Sequence, residues 1–209
     1  MQAEQTRAAV LEAARSLFAD LGWIGTSMRG VARKAGVAME TVYAGFGSKR
    51  DLLAAVIDVA VVGDDLPIPL ALRDFALGLG VGTLRERVAN AARMSAAMSS
   101  RTCNLIQALI QGSAADVELA RRLAELDERR RREIARYFEQ VVSRPATPEQ
   151  LDELWLLTSA EVFQMLVHRL GWTSEHHEQW LADRLLEITS DAPLGASRQR
   201  KNALRKELS

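Results

Sequence analysis

Gly36 is the residue that most constrains how this chain can fold. It stands between two short segments whose apolar residues recur at helical spacing: Val31, Ala32 and Ala35 before it, Val37, Val42 and Phe46 after it. Glycine takes the positive φ of a sharp turn without a steric penalty. Ser27 can cap the first segment, and Gly45 with Gly47 can close the second. The sequence therefore predicts a helix over 28–35, a tight turn, and a helix over roughly 38–45. Ahead of them, Val10, Ala14, Leu17, Phe18 and Leu21 mark a longer helix that Gly22 stops. Ala32 and Ala35 are small enough for close crossing. Both short helices can pack on the first, which pushes the second of them outward, where it can enter a groove ~12 Å wide.

Helical punctuation continues downstream. Ser48 with Asp51 predicts a capping box for a fourth helix that reaches Val62. The GDDLPIP stretch over 63–69 cannot continue a helix, and the body is expected to resume near Leu70. Gly78, Gly80 and Gly82 mark a second interruption, followed by helices over 83–99 and 101–113. A long helix over 116–143 should turn Leu119, Leu123, Leu126, Ile134, Phe138 and Val141 inward. Its outer face offers Glu118/Arg122, Glu125/Arg129, Asp127/Arg131 and Glu128/Arg132 in the favourable acid-first order. The arginine run 129–132 thus reads as a solvated, ion-paired face rather than a basic patch.

Thr147, Pro148 and Gln150 start another helix, expected to reach about Leu170. It is apolar on more than one side, so one side can face its own core and another a partner subunit. A last helix is expected over 175–189, and the polar, basic tail should be disordered. No strand pattern or internal repeat is visible. The expected fold is all-α: a three-helix helix-turn-helix head over 1–50, a helical-bundle body over 51–190, and a basic tail over 191–209.

A chain of 209 residues can bury a core without staples. Cys103 is its only cysteine, which excludes an intrachain disulfide and any cysteine-based metal cluster. The uncharged apolar run 52–57 is far short of the ~18 residues of a membrane span, and no secretion signal is visible. These features lead us to expect a soluble, cytoplasmic chain with no membrane partner. The net charge is zero, but its distribution is uneven. Within 22–50, Arg29, Arg33, Lys34, Lys49 and Arg50 face Glu40 alone. In the tail, Arg198, Arg200, Lys201, Arg205 and Lys206 face Asp191 and Glu207. A basic head beside an acidic body suits a head that meets phosphate.

Residues 7–57 resemble the TetR family of bacterial repressors. The AGV turn, the T-V-Y of the third helix, the aromatic after it and the S-K opening the fourth helix fall at that family's spacings. The resemblance implies a sequence-specific, double-stranded-DNA-binding transcriptional regulator: a homodimeric repressor on a near-palindromic operator, released by a small apolar effector. It implies phosphate contacts for Ser27, Thr41, Tyr43 and Lys49, which position without reading sequence. Arg29 could reach a base edge or a phosphate, and Met39, Glu40 and Ala44 should look into the groove. Ala38 stands where a capping hydroxyl is common, and Gly45 where a larger side chain is frequent. Met39 and Ala44 cannot make bidentate hydrogen bonds, so readout should lean on thymine methyls, Arg29 and DNA shape. Tyr43 could instead be a core aromatic. Lys49 and Arg50 could be a solvated helix start, although cations there oppose the helix dipole.

The resemblance also implies an effector pocket in the body. Met94, Met98, Cys103, Asn104, Gln107, Phe138, Trp155, Thr158, Phe163 and Met165 are candidate liners, with Asn104 and Gln107 favoured as polar groups in an apolar helix. Each could equally be ordinary core. No cofactor is expected. An enzyme is disfavoured: the histidines are His168, His176 and His177 alone, and no metalloprotease, phosphate-loop or nucleophile-elbow motif occurs. A ligand-binding or scaffolding protein with lost DNA binding is the remaining alternative.

Overall fold

The computed structural model describes residues 2–63 and 78–190, and every described regular element is a helix. The expected resumption near Leu70, most of the GDDLPIP stretch and the tail lie outside the described residues. Helix α1 spans Gln2–Gly25 and is broken at Gly22, whose backbone is non-helical. Buried Thr26 closes that end, its Oγ1 lying 2.9 and 2.8 Å from the Leu17 and Gly22 carbonyls. Helices α2 (Met28–Ala35), α3 (Met39–Phe46) and α4 (Lys49–Val62) follow. Gly45 stays helical, and α3 closes at Gly47.

A 3-10 turn at Gly78–Gly80 leads to α5 (Leu84–Ser113), which Thr83 and Glu86 open with a reciprocal capping box. Two helices were expected here, but there is one. The hydroxyl-rich stretch after Met98 does not interrupt it, because Ser99 is buried against the bundle and Thr102 Oγ1 returns its proton to the Met98 carbonyl at 2.9 Å.

Helix α6 (Val117–Val142) begins at Asp116, whose carboxylate accepts the Glu118 and Leu119 N–H groups. Its inward stripe is as expected, with Leu119, Phe138 and Val141 buried. Of the four expected ion pairs along it, Glu118–Arg122 and Glu128–Arg132 form. Arg129 and Arg131 reach other helices instead, pairing with Asp58 at 2.9 Å and Asp152 at 2.7 Å.

The helix expected over 148–170 is divided. Helix α7 (Pro148–Leu157) starts with the predicted box of Thr147 and Gln150. It stops because Thr158 leaves helical geometry (φ −91°, ψ 9°) and Ser159 caps a new start, accepting the Val162 N–H at 3.1 Å. Side-chain hydroxyls compete with backbone partners at such a point. Helix α8 (Ala160–Phe163) then widens into a π-turn, Gln164–Arg169, and α9 (Ser174–Thr189) ends the described chain.

α5 is the central rod, with α1, α4, α6 and α9 packed against it. One core joins α1–α4 to its second half through Leu105, Ile106 and Leu109. Another gathers Leu79, Val88, Phe138, Leu154 and Leu181 at its other end. Gly112 makes the first junction possible: a Cβ there would lie 2.5 Å from Leu119 Cδ1 and 3.0 Å from Trp23 Cγ.

Candidate nucleic-acid interface and a cavity in the body

Ser27 is the N-cap of α2 and accepts the Gly30 N–H at 3.1 Å. Gly36 adopts the left-handed conformation (φ 69°, ψ 30°) that turns the chain from α2 into α3. Ala38 supplies no side-chain cap, so the Thr41 N–H bonds only to its carbonyl, at 3.1 Å. Val42 is wholly buried and anchors α3 from beneath. With that side fixed, Ala38, Glu40, Thr41, Tyr43 and Ala44 are exposed and Met39 is half-buried. Tyr43 is 46% exposed, so it is not a core aromatic; Phe46 is half-buried against the core, with the Arg7 guanidinium 5.0 Å from its centroid.

Around α3, Ser27 and Arg29 are exposed on α2's start, and Arg33 on its outer side. Neither Arg29 nor Arg33 forms an ion pair among the described residues. Lys34 is tied back to α1, donating to Ser16 Oγ at 2.9 Å. Lys49 departs from the expected exposed position. Its ammonium sits 4.0 Å over the Trp23 ring and donates to the Trp23 carbonyl. Burial holds its pKa below the ordinary lysine range. Trp23, which the sequence reading did not single out, is therefore a hinge post: it stacks on Phe18, touches the α5–α6 junction and holds the start of α4.

The body forms a partly open cavity of about 520 Å³ among α4, α5, α6, α7, α8 and α9. Met94, Met98, Phe138 and Thr158 line it. The other six candidates lie elsewhere. Met98, Thr102 and Ile106 define the cavity side of α5, and Cys103, Asn104 and Gln107 are turned roughly 100–160° away from it. Cys103 is buried, with Sγ 3.6 Å from His168 Nε2. Asn104 is exposed and Gln107 half-buried. Phe163 is buried edge-on to His177, Met165 is exposed, and Trp155 lies behind the wall beneath the Arg130 guanidinium.

Among the cavity's polar groups, the sequence did not mark Arg130, Asp127, Glu161 and Tyr137 as lining residues. Arg130 donates to the Trp155 carbonyl and to Thr158 Oγ1, the latter at 3.2 Å. Its signal was present, since Leu126, Arg130 and Ile134 recur four apart on the inward stripe. Among the described residues no cluster of three or more His, Cys, Asp or Glu could hold a metal, and no helix is long and apolar enough to cross a membrane.

Residues 10–56 match the family described as bacterial regulatory proteins, tetR family. The head belongs to the TetR family. No curated protein matches the chain. Among solved structures, a Rhodococcus sp. protein assigned to the TetR-family transcriptional regulators is similar over 90% of this chain and 100% of its own, with TM-score 0.68 and 19% identity. NalD, the secondary repressor of the MexAB-OprM multidrug efflux pump in Pseudomonas aeruginosa, is similar over 90% of this chain and 96% of its own, with TM-score 0.64 and 20% identity. A TetR-family member from Streptomyces coelicolor A3 covers 86% and 97%, with TM-score 0.58 and 19% identity. The chain thus combines a head that matches the tetR-family model with the all-α fold of those proteins.

Proposed function

We propose that the chain is a homodimeric repressor. It binds a near-palindromic operator through α3 and releases it when a small apolar effector enters the body cavity. One observation carries this reading: α4 belongs to both sites. Its first turn, with Ser48 and Lys49, abuts the helix-turn-helix, and its last turns put Asp58, Val59, Val61 and Val62 on the cavity wall. A ligand that displaces those residues tilts the rod on which the head sits. In a dimer, two heads must reach sites about one DNA turn apart, ~34–36 Å, so small tilts break simultaneous docking.

Ser27, Thr41 and Tyr43 are assigned to phosphate, with Arg29 at a phosphate or base edge. Met39, Glu40 and Ala44 face the bases, and Ala38 lies at the helix entry. Lys49 acts through Trp23, placing the head. Few groups here can read bases directly, so DNA shape should carry much of the preference. Fluorescence anisotropy with DNA from the promoter region of its own gene tests the reading. Specific, salt-sensitive binding is expected, with a light-scattering mass twice the 23.1 kDa chain. A monomer at micromolar concentration, or equal affinity for scrambled DNA, would overturn it.

A further inference from the structure

The charges around the cavity do not balance. Asp58 is paired with Arg129, and Glu133 with Arg136. Of the charged lining among the described residues, that leaves Asp127, Glu161 and Arg130. Arg130 attracts both carboxylates without forming an ion pair with either, and its Nη2 donates to the Trp155 carbonyl and Thr158 Oγ1. Two carboxylates on one guanidinium leave one negative charge beside an apolar-walled space. Burial, reinforced by neighbouring Glu161, pushes the Asp127 carboxyl above its ordinary range despite the pull of Arg130. A second polar group stands on the same wall. Tyr137 is nine-tenths buried, and its hydroxyl, beside Arg136 and Glu133, makes no hydrogen bond of good geometry. Buried polar groups are normally satisfied.

We propose that the cavity takes a hydrophobic monocation, its charge held by Asp127 and Glu161 and its apolar body against Met94, Met98 and Ile134. This rests on reading the cavity as the effector site and names the chemical class of the effector. An anion would add a third negative charge beside two carboxylates that already outnumber Arg130. A neutral ligand would take water from the excess carboxylate and return nothing. A cation neutralises it where the apolar surroundings make pairing strongest.

The test uses tetraphenylphosphonium and tetraphenylborate, ions of nearly the same shape and apolar surface but opposite charge, titrated calorimetrically into the full chain. The phosphonium should bind at least tenfold more tightly. Asp127→Asn and Glu161→Gln should each weaken it by about tenfold, the scale of one charge-assisted contact, with neutral Nile red binding unchanged. Equal or tighter binding of the borate, or phosphonium binding indifferent to both substitutions, overturns the proposal. Nile red separates the two readings. If it binds and Met94→Trp abolishes that binding, the cavity stands as a ligand site even where the cation fails. If Nile red and both ions all fail to bind, the effector-site reading falls with the proposal.

Discussion

Asp58 of α4 and Arg129 of α6 pair at 2.9 Å across the rim of the cavity. They are the last of three such links. Nearer the head, Arg50 reaches Asp116 at 2.6 Å and Asp51 meets Arg122. At the far end Arg101 of α5 donates to the Ala60 and Val61 carbonyls, at 2.9 and 3.3 Å. The rod that carries the head is thus strapped along its length to two body helices, so movement of α6 at the cavity pulls on α4.

Breaking the strap at the rim should uncouple sensing from stability. The Asp58–Arg129 pair is about half exposed, so its loss costs less than about 1 kcal/mol. Arg129→Ala should leave the melting temperature and operator affinity nearly unchanged while reducing effector-induced release severalfold. Thermal denaturation and operator titration with and without effector check this. An unchanged release would mean that α4 moves without α6.

Phosphate contacts should separate from scaffold contacts. Arg29→Ala and Arg33→Ala should each lower the slope of log affinity against log salt by about one unit, if each meets one phosphate. Tyr43→Phe should weaken all operators alike, leaving sequence preference intact. Lys49→Ala should instead destabilise the head even without DNA. It removes a charged hydrogen bond and a cation–π contact, together worth about 1–3 kcal/mol. Salt-series titrations and melting curves distinguish these outcomes.

Gly112→Ala tests the junction between head and body. Helix propensity favours alanine by about 1 kcal/mol. Against that, the new methyl meets packed Leu119 and Trp23, and overpacking a core costs about 1–3 kcal/mol. The neighbours are rings and branched carbons held on several sides, so the clash should win and the melting temperature should fall. Because Trp23 holds Lys49, operator affinity should fall with it.

Acid sensitivity should trace to His177. The residue is 1% exposed, and neither ring nitrogen has a partner. Burial holds its pKa below the ordinary value of 6.5. The unfolded chain therefore takes up a proton at a pH where the folded chain does not, so stability is full above about pH 6.5 and declines as pH falls below it. Asp51 and Asp116, both held below the usual carboxylate range by hydrogen bonds to Ser48 and Arg50 respectively, lose their contribution only at lower pH. Melting temperatures at pH 7.5 and 5.5 should differ in the wild type, and His177→Leu should shrink the difference.

The head was legible in the sequence because local rules decide it. A hydroxyl at Ser27, a turn at Gly36 and apolar residues four apart leave one arrangement of three short helices. The caps at Thr147 and Ser48 were legible for the same reason: each is satisfied by a residue three positions away. Sequence periodicity also gave the inward stripe of α6. It could not say which neighbour would meet the remaining residues on that helix. Arg129 and Arg131 abandon their local partners for α4 and α7, and Arg130 turns inward, because the carboxylates of Asp58 and Asp152 and the Trp155 carbonyl lie within reach only after packing. The same holds for the cavity. Met98 and Cys103 look alike in sequence, but the rotation of α5 against α6 puts one on the cavity wall and the other against His168. Thr102 and Thr158 were both expected inside helices. Tertiary contacts decided that the first stays within a helix and the second ends one, since only Thr158 has an arginine to bond. Local hydrogen bonding and apolar spacing are written in the chain, whereas the partner of a long polar side chain is set by which helices the fold brings beside it.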